Sequence, residues 1–276
     1  MRKDKVLESV FGWSVKRAVN QNGLNGLVSE LRAIIPDISD QESSERPYFN
    51  EYTEVKRRAL QSFQLLLLQK AVELIDAPRI TIVDIGDSAG SHMLYAKNLI
   101  KDKEIDTVSV NLDPNAVKKI EKRGLKAVFC RAENLDLGGR KIDLFTSFQM
   151  VEHLHNPSIF FKRLADRTSC DKMLITVPYL KTSRVALHSI RKQTHLQVNA
   201  EQEHIFELNP SDWELIFLHS GWKIKYSRIY FQYPKGIPIL SQILGYLWRY
   251  FDYEGFWGAI LEKDTSYMKL YQDWEE

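Results

Sequence analysis

The segment Ile80-Thr81-Ile82-Val83-Asp84-Ile85-Gly86-Asp87-Ser88-Ala89-Gly90 constrains this chain more than any other. A β-branched apolar run stops at Gly-x-x-x-Gly, and a helical pattern starts at once, from Ser91 to Ile100. This predicts a strand, a tight glycine turn and a helix N-terminus. Such a turn lets a ligand approach bare backbone, with unpaired helix N–H groups pointing at it. The alternation continues beyond it. Strands are predicted at 80–85, 106–111, 126–129, 142–147 and 172–177, and helices at 90–101, 114–123, 157–167 and 211–220. Asp113-Pro114 reads as N-cap followed by N1, and Ser211-Asp212-Trp213-Glu214 has capping-box spacing. Alternating strands and helices with short connections imply a mainly parallel sheet covered on both faces. Ligands then bind at the carboxyl ends of the strands.

Other stretches frame this unit. Residues 1–35 carry helical apolar spacing, 36–50 are polar and loop-like, and a helix is expected from about Glu51 to Ile75. Its run Leu65-Leu66-Leu67-Leu68 implies burial on more than one side. Residues 180–208 show no clear period and hold His188, His195 and His204. Trp222 to Phe231 alternates like a strand, 235–254 is apolar and aromatic like a helix, and Phe256 to Lys263 reads as a closing strand. Two late strands flanking a helix suit an antiparallel edge pair.

Composition excludes several classes. The 276 residues suffice for one large α/β domain with additions or for two small ones. A net charge of +2 with interspersed signs gives no electrostatic case for nucleic acid. Cys130 and Cys170 stand alone without CxxC spacing, which argues against a disulfide framework or a zinc site and fits a reducing cytoplasm. No apolar core follows Met-Arg-Lys-Asp-Lys, so no secretory signal is expected. No 18-residue apolar run occurs, so no transmembrane helix is expected either.

Two enzyme readings share the glycine turn. Gly86-Asp87-Ser88-Ala89-Gly90 spells G-x-S-x-G, the nucleophile elbow of α/β-hydrolases. That elbow normally follows several strands and an upstream oxyanion-hole segment, whereas only helices precede it here. Asp84-x-Gly86-x-x-x-Gly90 resembles motif I of the class I S-adenosylmethionine (SAM) methyltransferases, and four later segments keep step with it. Val108-Ser109-Val110-Asn111-Leu112 ends the second strand in a polar residue. Arg131-Ala132-Glu133-Asn134-Leu135 resembles the family's D-A-E-x-L. Ile142 to Leu154 resembles F-D-x-V-x-x-x-x-V-x-E-H-L, and Val177-Pro178 closes strand five. The chain is thus identified as resembling a class I SAM-dependent methyltransferase over residues 80–179. The resemblance implies a Rossmann-like, doubly wound, mainly parallel seven-stranded sheet with an antiparallel edge strand, plus N-terminal helices. It divides the chain into an N-terminal helical cap (1–78) and a methyltransferase domain (79–276) with insertions at 180–208 and 232–254.

It also implies SAM as cofactor, bound by Asp84, Gly86, Asp87, Ser88, Gly90, Asn111, Leu112, Ala132, Glu133 and Phe148. Three positions depart from the family pattern. Asp87 adds a charge near the cofactor's sulfonium or amino group, Asn111 replaces a ribose-binding carboxylate, and Arg131 stands where an adenine-binding Asp is common. A charge that blocks the cleft would make this a non-catalytic relative that binds a nucleotide-like ligand or a partner. Glu152 and His153 are the most tempting catalytic pair, although packing beneath the cofactor accounts for them equally well. His188, His195 and His204 lack an i, i+4 spacing, so no metal is expected. His204, beside Glu203 and ahead of Ile205-Phe206, is the choice for a general base, since an unperturbed imidazole titrates near 6.5. The resemblance points to a small-molecule or glycan acceptor, with an oxygen as the methylated atom, and weakly to enzymes of bacterial surface-polysaccharide synthesis. Trp248, Tyr250, Phe251, Tyr253, Phe256 and Trp257 could form core, an acceptor wall or a peripheral membrane patch; Arg249, Asp252 and Glu254 argue against deep insertion.

Overall fold

The apolar run at Ile80 becomes β1 (Arg79–Ile85), an interior strand of a seven-stranded sheet. A computed structural model describes residues 2–39, 49–136, 138–194 and 197–271, so part of the 36–50 loop and all of His195 lie outside it. Next come α4 (Ser91–Leu99), β2 (Glu104–Asn111), α5 (Pro114–Lys122), β3 (Lys126–Phe129), β4 (Leu144–Phe148), α6 (Pro157–Arg167) and β5 (Lys172–Tyr179). The numbering leaves α1 (Arg2–Gln21), α2 (Asn25–Ile34) and α3 (Glu51–Glu73) ahead of β1. After β5 follow a two-stranded ribbon, β6 (Arg184–Val185) with β7 (Phe206–Glu207), enclosing the short α7 (His188–Arg191). The chain ends with α8 (Pro210–His219), β8 (Trp222–Phe231), α9 (Pro238–Phe251) and β9 (Gly255–Lys263).

The strand order is β3-β2-β1-β4-β5-β9-β8. The first five strands pair in parallel. β9 runs antiparallel to both β5 and β8, so the antiparallel strand stands one place in from the edge expected for it. The excursion through α9 returns β9 alongside β8 and inserts it against β5, which leaves β8 on the rim. The cap at Ser211 also shifts: Asn209 accepts from the Asp212 N–H at 3.0 Å and Pro210 takes N1, because proline there forfeits no helical hydrogen bond.

Period-two alternation sorts the strand residues between two apolar layers. Ile80, Ile82, Leu144, Leu174, Phe256 and Ile260 face α3, α4 and α9. Val83, Ile85, Phe145, Ile175, Trp257 and Leu261 face α6 and α8, where Phe161, Trp213 and Phe217 fill the layer. The leucine run explains itself here. α3 crosses β4, β5 and β9 and is covered outside by α1 and α2, so Leu65, Leu67 and Leu68 are all buried. At Gly258 a side chain would overlap Leu67, so that glycine sets how closely α3 approaches the sheet. On the rim, Trp248 of α9 donates from its indole to Ser14 of α1 at 3.1 Å, and Ser14 donates to the Gln232 carbonyl at 2.9 Å.

Candidate active site

The carboxyl ends of β1, β2 and β4 open onto a cleft of about 680 Å³, within the usual range for small-molecule sites of about 300–1,000 Å³. Gly86, Ser88, Asn111, Leu112, Ala132, Glu133, Phe148, His153 and His204 all line it. A smaller side pocket under α3 is lined by Asp84, Asp87 and Gln64 and shares Gly86, Ser88 and Phe148 with the cleft. Gly90 and Glu152 line neither.

The two glycines of the turn do different jobs. Gly86 has φ +91°, and a Cβ on it would lie 2.5 Å from Met150 Cγ, so bare backbone is required where the cleft meets β1. Gly90 has φ +74° and faces α5, where a Cβ would meet Leu125 at 2.6 Å. Its requirement is packing, not contact with a ligand in the cleft.

Asp87 turns into the protein. Its Oδ1 accepts from the Gly90 N–H at 2.7 Å and the Ala89 N–H at 3.1 Å, and its Oδ2 accepts from the Ser109 hydroxyl at 2.7 Å. The carboxylate therefore caps the loop, and it does not fill the larger cleft. Burial raises both buried acids, Asp84 above all, since Asp84 faces the Asp87 charge and the Thr146 hydroxyl that donates to it at 2.7 Å offsets this only in part. Asn111 is spent locally as well: it donates to the Asp87 carbonyl at 3.0 Å and accepts from the Asp113 N–H at 2.7 Å. Asp113, as expected, caps α5. Glu133 sits on a short 3-10 turn, its backbone carbonyl held by Arg163 at 2.7 Å and its carboxylate 3.6 Å from Arg131.

Gln64 and Gln149 escaped notice in the sequence. Gln64 reaches down from α3 to donate to Thr176 at 2.9 Å and to meet His92 Nε2 at 2.8 Å. Gln64 at the head of the four-leucine run, on a helix expected to be buried on more than one side, was the available signal. His92 stacks on Phe148 at 4.3 Å between ring centroids, and burial pushes its pKa down to about 4. Gln149 has φ +55°, a strained value for a side-chain-bearing residue, just where β4 delivers the chain into the cleft.

At the opposite end of the cleft, β7 and its flanking loop bring His204 to Glu152 and His153. The His153 and His204 rings meet edge to face at 4.6 Å. His153 Nδ1 donates to the Glu203 carbonyl at 3.0 Å. His204 Nδ1 lies 2.9 Å from Glu207 Oε1, and the Tyr253 hydroxyl also donates to that oxygen. Glu207 further accepts from Arg184 at 2.6 Å and pairs with His188 at 3.0 Å. Burial opposes its charge, but these donors hold its carboxyl well below the usual range. Burial likewise opposes a charged His204, yet Glu207 and Glu152 raise it. Burial, reinforced by His204, pushes His153 down to about 4. Burial pushes Glu152 up to about 7. His188, for its part, braces Glu207 and does not line the cleft.

Residues 83–169 match the family model described as a methyltransferase domain. Over those residues the chain is similar to a methyltransferase domain. No curated protein matches it by sequence, but solved structures share the fold of that domain. A Galdieria sulphuraria protein named as a sarcosine dimethylglycine methyltransferase superposes with TM-score 0.57 at 11% identity, covering 86% of this chain and 97% of its own. The O-methyltransferase of a Brevibacillus brevis trans-AT polyketide synthase, solved with S-adenosylhomocysteine, gives 0.53 at 12% identity and covers 78% and 76%. Burkholderia thailandensis 1,6-didemethyltoxoflavin N1-methyltransferase, with substrate and S-adenosylhomocysteine, gives 0.50 at 15% and covers 75% and 79%. The methyltransferase domain accounts for the G-x-S-x-G spelling too. The turn follows the first, interior strand of a sheet whose first five strands are parallel, which is the place of motif I and not of a nucleophile elbow. Among the described residues no helix is long and apolar enough to cross a membrane.

Proposed function

We propose that this chain moves the methyl group of SAM to an oxygen of a small-molecule or glycan acceptor, in the synthesis of bacterial surface polysaccharide. The observation that carries the reading is one continuous cleft with bare backbone at Gly86 at one end and the His153–His204 pair at the other. The residues present fit the cofactor. Gly86 and Ser88 offer backbone at the head of α4, Asn111 and Leu112 close one wall, and Ala132 and Glu133 close the next. Asp87 points away from the larger cleft, which favours a working site over a blocked, non-catalytic relative.

When bound, SAM supplies a sulfonium methyl, which passes to the acceptor oxygen as the C–O bond forms, the C–S bond breaks and sulfur keeps the electron pair. The protein's part is placement and proton handling. Orientation of two bound reactants is worth up to about 7–11 kcal/mol in favourable cases. A hydroxyl must also lose its proton, and that duty falls to the end of the cleft where His153 and His204 stand. The balanced charge gives no electrostatic case for a nucleic-acid acceptor.

The test is calorimetric titration of the purified protein with SAM and S-adenosylhomocysteine, alongside Gly86→Arg. Micromolar binding that the substitution abolishes is expected. Absence of binding to the folded wild type would refute the reading.

A further inference from the structure

Glu152 presents an expensive arrangement. It is 1% exposed, and neither carboxylate oxygen has a hydrogen-bond partner among the described residues. Buried carboxylates are ordinarily paired, hydrogen-bonded or bound to a metal. Two imidazoles stand beside it, and the Glu207 carboxylate also acts on it. One donor atom from each of Glu152, His153 and His204 lies within 4.8 Å of the other two.

The far side of each imidazole is already fixed. His153 donates its Nδ1–H to the Glu203 carbonyl, and His204 donates its Nδ1–H to the Glu207 carboxylate. In a neutral ring whose Nδ1 is the donor, Nε2 carries the lone pair. A carbonyl or carboxylate behind each imidazole is the usual outer support of a metal-bound histidine, because it sets ring orientation and tautomer. Glu207 is itself held rigidly by Arg184, His188 and Tyr253. Nothing in a packing role for His204 calls for a carboxylate clamped by so many donors.

We propose that Glu152, His153 and His204 bind one divalent first-row transition-metal ion at the acceptor end of the cleft. Two imidazoles and one carboxylate suit zinc, cobalt, iron or manganese, whereas magnesium and calcium favour oxygen ligands. Three protein ligands leave coordination positions open, as in catalytic rather than structural sites. Those positions face the cleft, because both histidines line it. Bonds of about 2.0–2.2 Å place donor atoms roughly 3.4 Å apart in a tetrahedral site, so the ion draws the three side chains together. Its role rests on the methyltransferase reading. An acceptor hydroxyl bound to the ion releases its proton to solvent more readily, and its oxygen is then held for the methyl. Linear spacing concealed the set, since His204 arrives only through the β6–β7 ribbon, whose strands flank a segment without periodicity.

The full chain, stripped with a chelator, is dialysed against Zn2+ with metal content read by mass spectrometry, and titrated with Co2+ followed by visible absorption. One ion per chain is expected. Glu152→Gln, nearly isosteric, and His204→Ala should each weaken binding at least ~100-fold, and Glu207→Gln, one shell out, about 10–100-fold. S-adenosylhomocysteine titration of the same samples reports folding and the cofactor site separately. Stoichiometric Zn2+ without S-adenosylhomocysteine binding would uphold the metal site and refute the methyltransferase reading. A wild type that binds S-adenosylhomocysteine but no stoichiometric ion would overturn the proposal, as would Zn2+ affinity unchanged in Glu152→Gln.

Discussion

The two ends of the cleft are built in opposite ways. At the cofactor end, Asp84, Gly86, Asp87 and Gly90 fall within seven residues, and their partners Ser109 and Asn111 come from the neighbouring strand. Donors and acceptors there are almost all satisfied within the loop. At the acceptor end, Glu152 and His153 meet a histidine 51 positions later, and Glu207 and Tyr253 reach in from two further elements. There a buried carboxylate has no hydrogen-bond partner among the described residues. A local, self-satisfied loop is the build of a preformed binding surface. A long-range assembly with an unmet polar group is the build of a site completed by something bound.

The largest break in this contrast is Gly86→Arg. The position has φ +91° and no room for a Cβ beside Met150, so strain and steric overlap act together. Loss of S-adenosylhomocysteine binding by at least ~100-fold is expected, with a melting curve showing that the chain still folds. Full retention of affinity would mean that the cofactor end lies elsewhere.

Glu207→Gln probes the other end. The change removes the charge behind His204 while keeping its size. Turnover on an oxygen acceptor should fall about 10–100-fold, while S-adenosylhomocysteine affinity stays constant. Equal losses in both would show that the two ends are one coupled unit.

That asymmetry also governs what could be read from the sequence. β1, β2 and β5 were legible because burial on both faces favours apolar, β-branched-rich runs, and the short β3 and β4 were legible from their place in the strand–helix alternation. Asp113 was legible as a cap because Asp-Pro has few other uses. The inward turn of Asp87 was not, since its partners Ser109 and Arg123 lie on other elements. Gly90 reads in the sequence as a cofactor glycine, and the structure adds a packing constraint that the sequence does not show, since a Cβ there would meet Leu125. The position of β9 between β5 and β8 depended on how α9 returns the chain, which no period records. The meeting of His204 with Glu152 depended on a two-residue ribbon too short to leave a pattern.

Asp87→Asn tests how self-contained the cofactor end is. The amide keeps the shape but forfeits the charge that faces the loop N–H groups and Arg123. Hydrogen bonds to a charged group are worth about 1.5–3 kcal/mol, so a loss of about 1–3 kcal/mol in urea unfolding is expected. Because burial raises the Asp87 carboxyl, the native protein holds that proton more tightly than the unfolded chain does, so the loss should be smaller at neutral pH than at low pH. A substitution that stabilised the protein would show that the buried pair Asp84–Asp87 carries net repulsion.

The smallest effect belongs to His92, at the seam between α3, α4 and β4. Burial lowers its pKa from 6.5 to about 4, so between those values the unfolded chain binds a proton that the native protein refuses. Stability then rises with pH across that window. The contribution is complete above pH 6.5 and is lost as pH falls towards 4. His153, also held near 4, acts in the same sense from the acceptor end, whereas Glu152, raised to about 7, and His204, also raised, act in the opposite sense there. His92→Phe keeps the ring over Phe148 and removes the His92 titration, so the slope of unfolding free energy between pH 4 and 6.5 should become shallower than in the wild type. The amide of Gln64 loses its imidazole partner in that variant, which lowers stability at every pH and so leaves the slope interpretable. If the slope stayed as steep as in the wild type, proton uptake on unfolding would belong to the acceptor end alone, and the cofactor end would be insensitive to pH in this range.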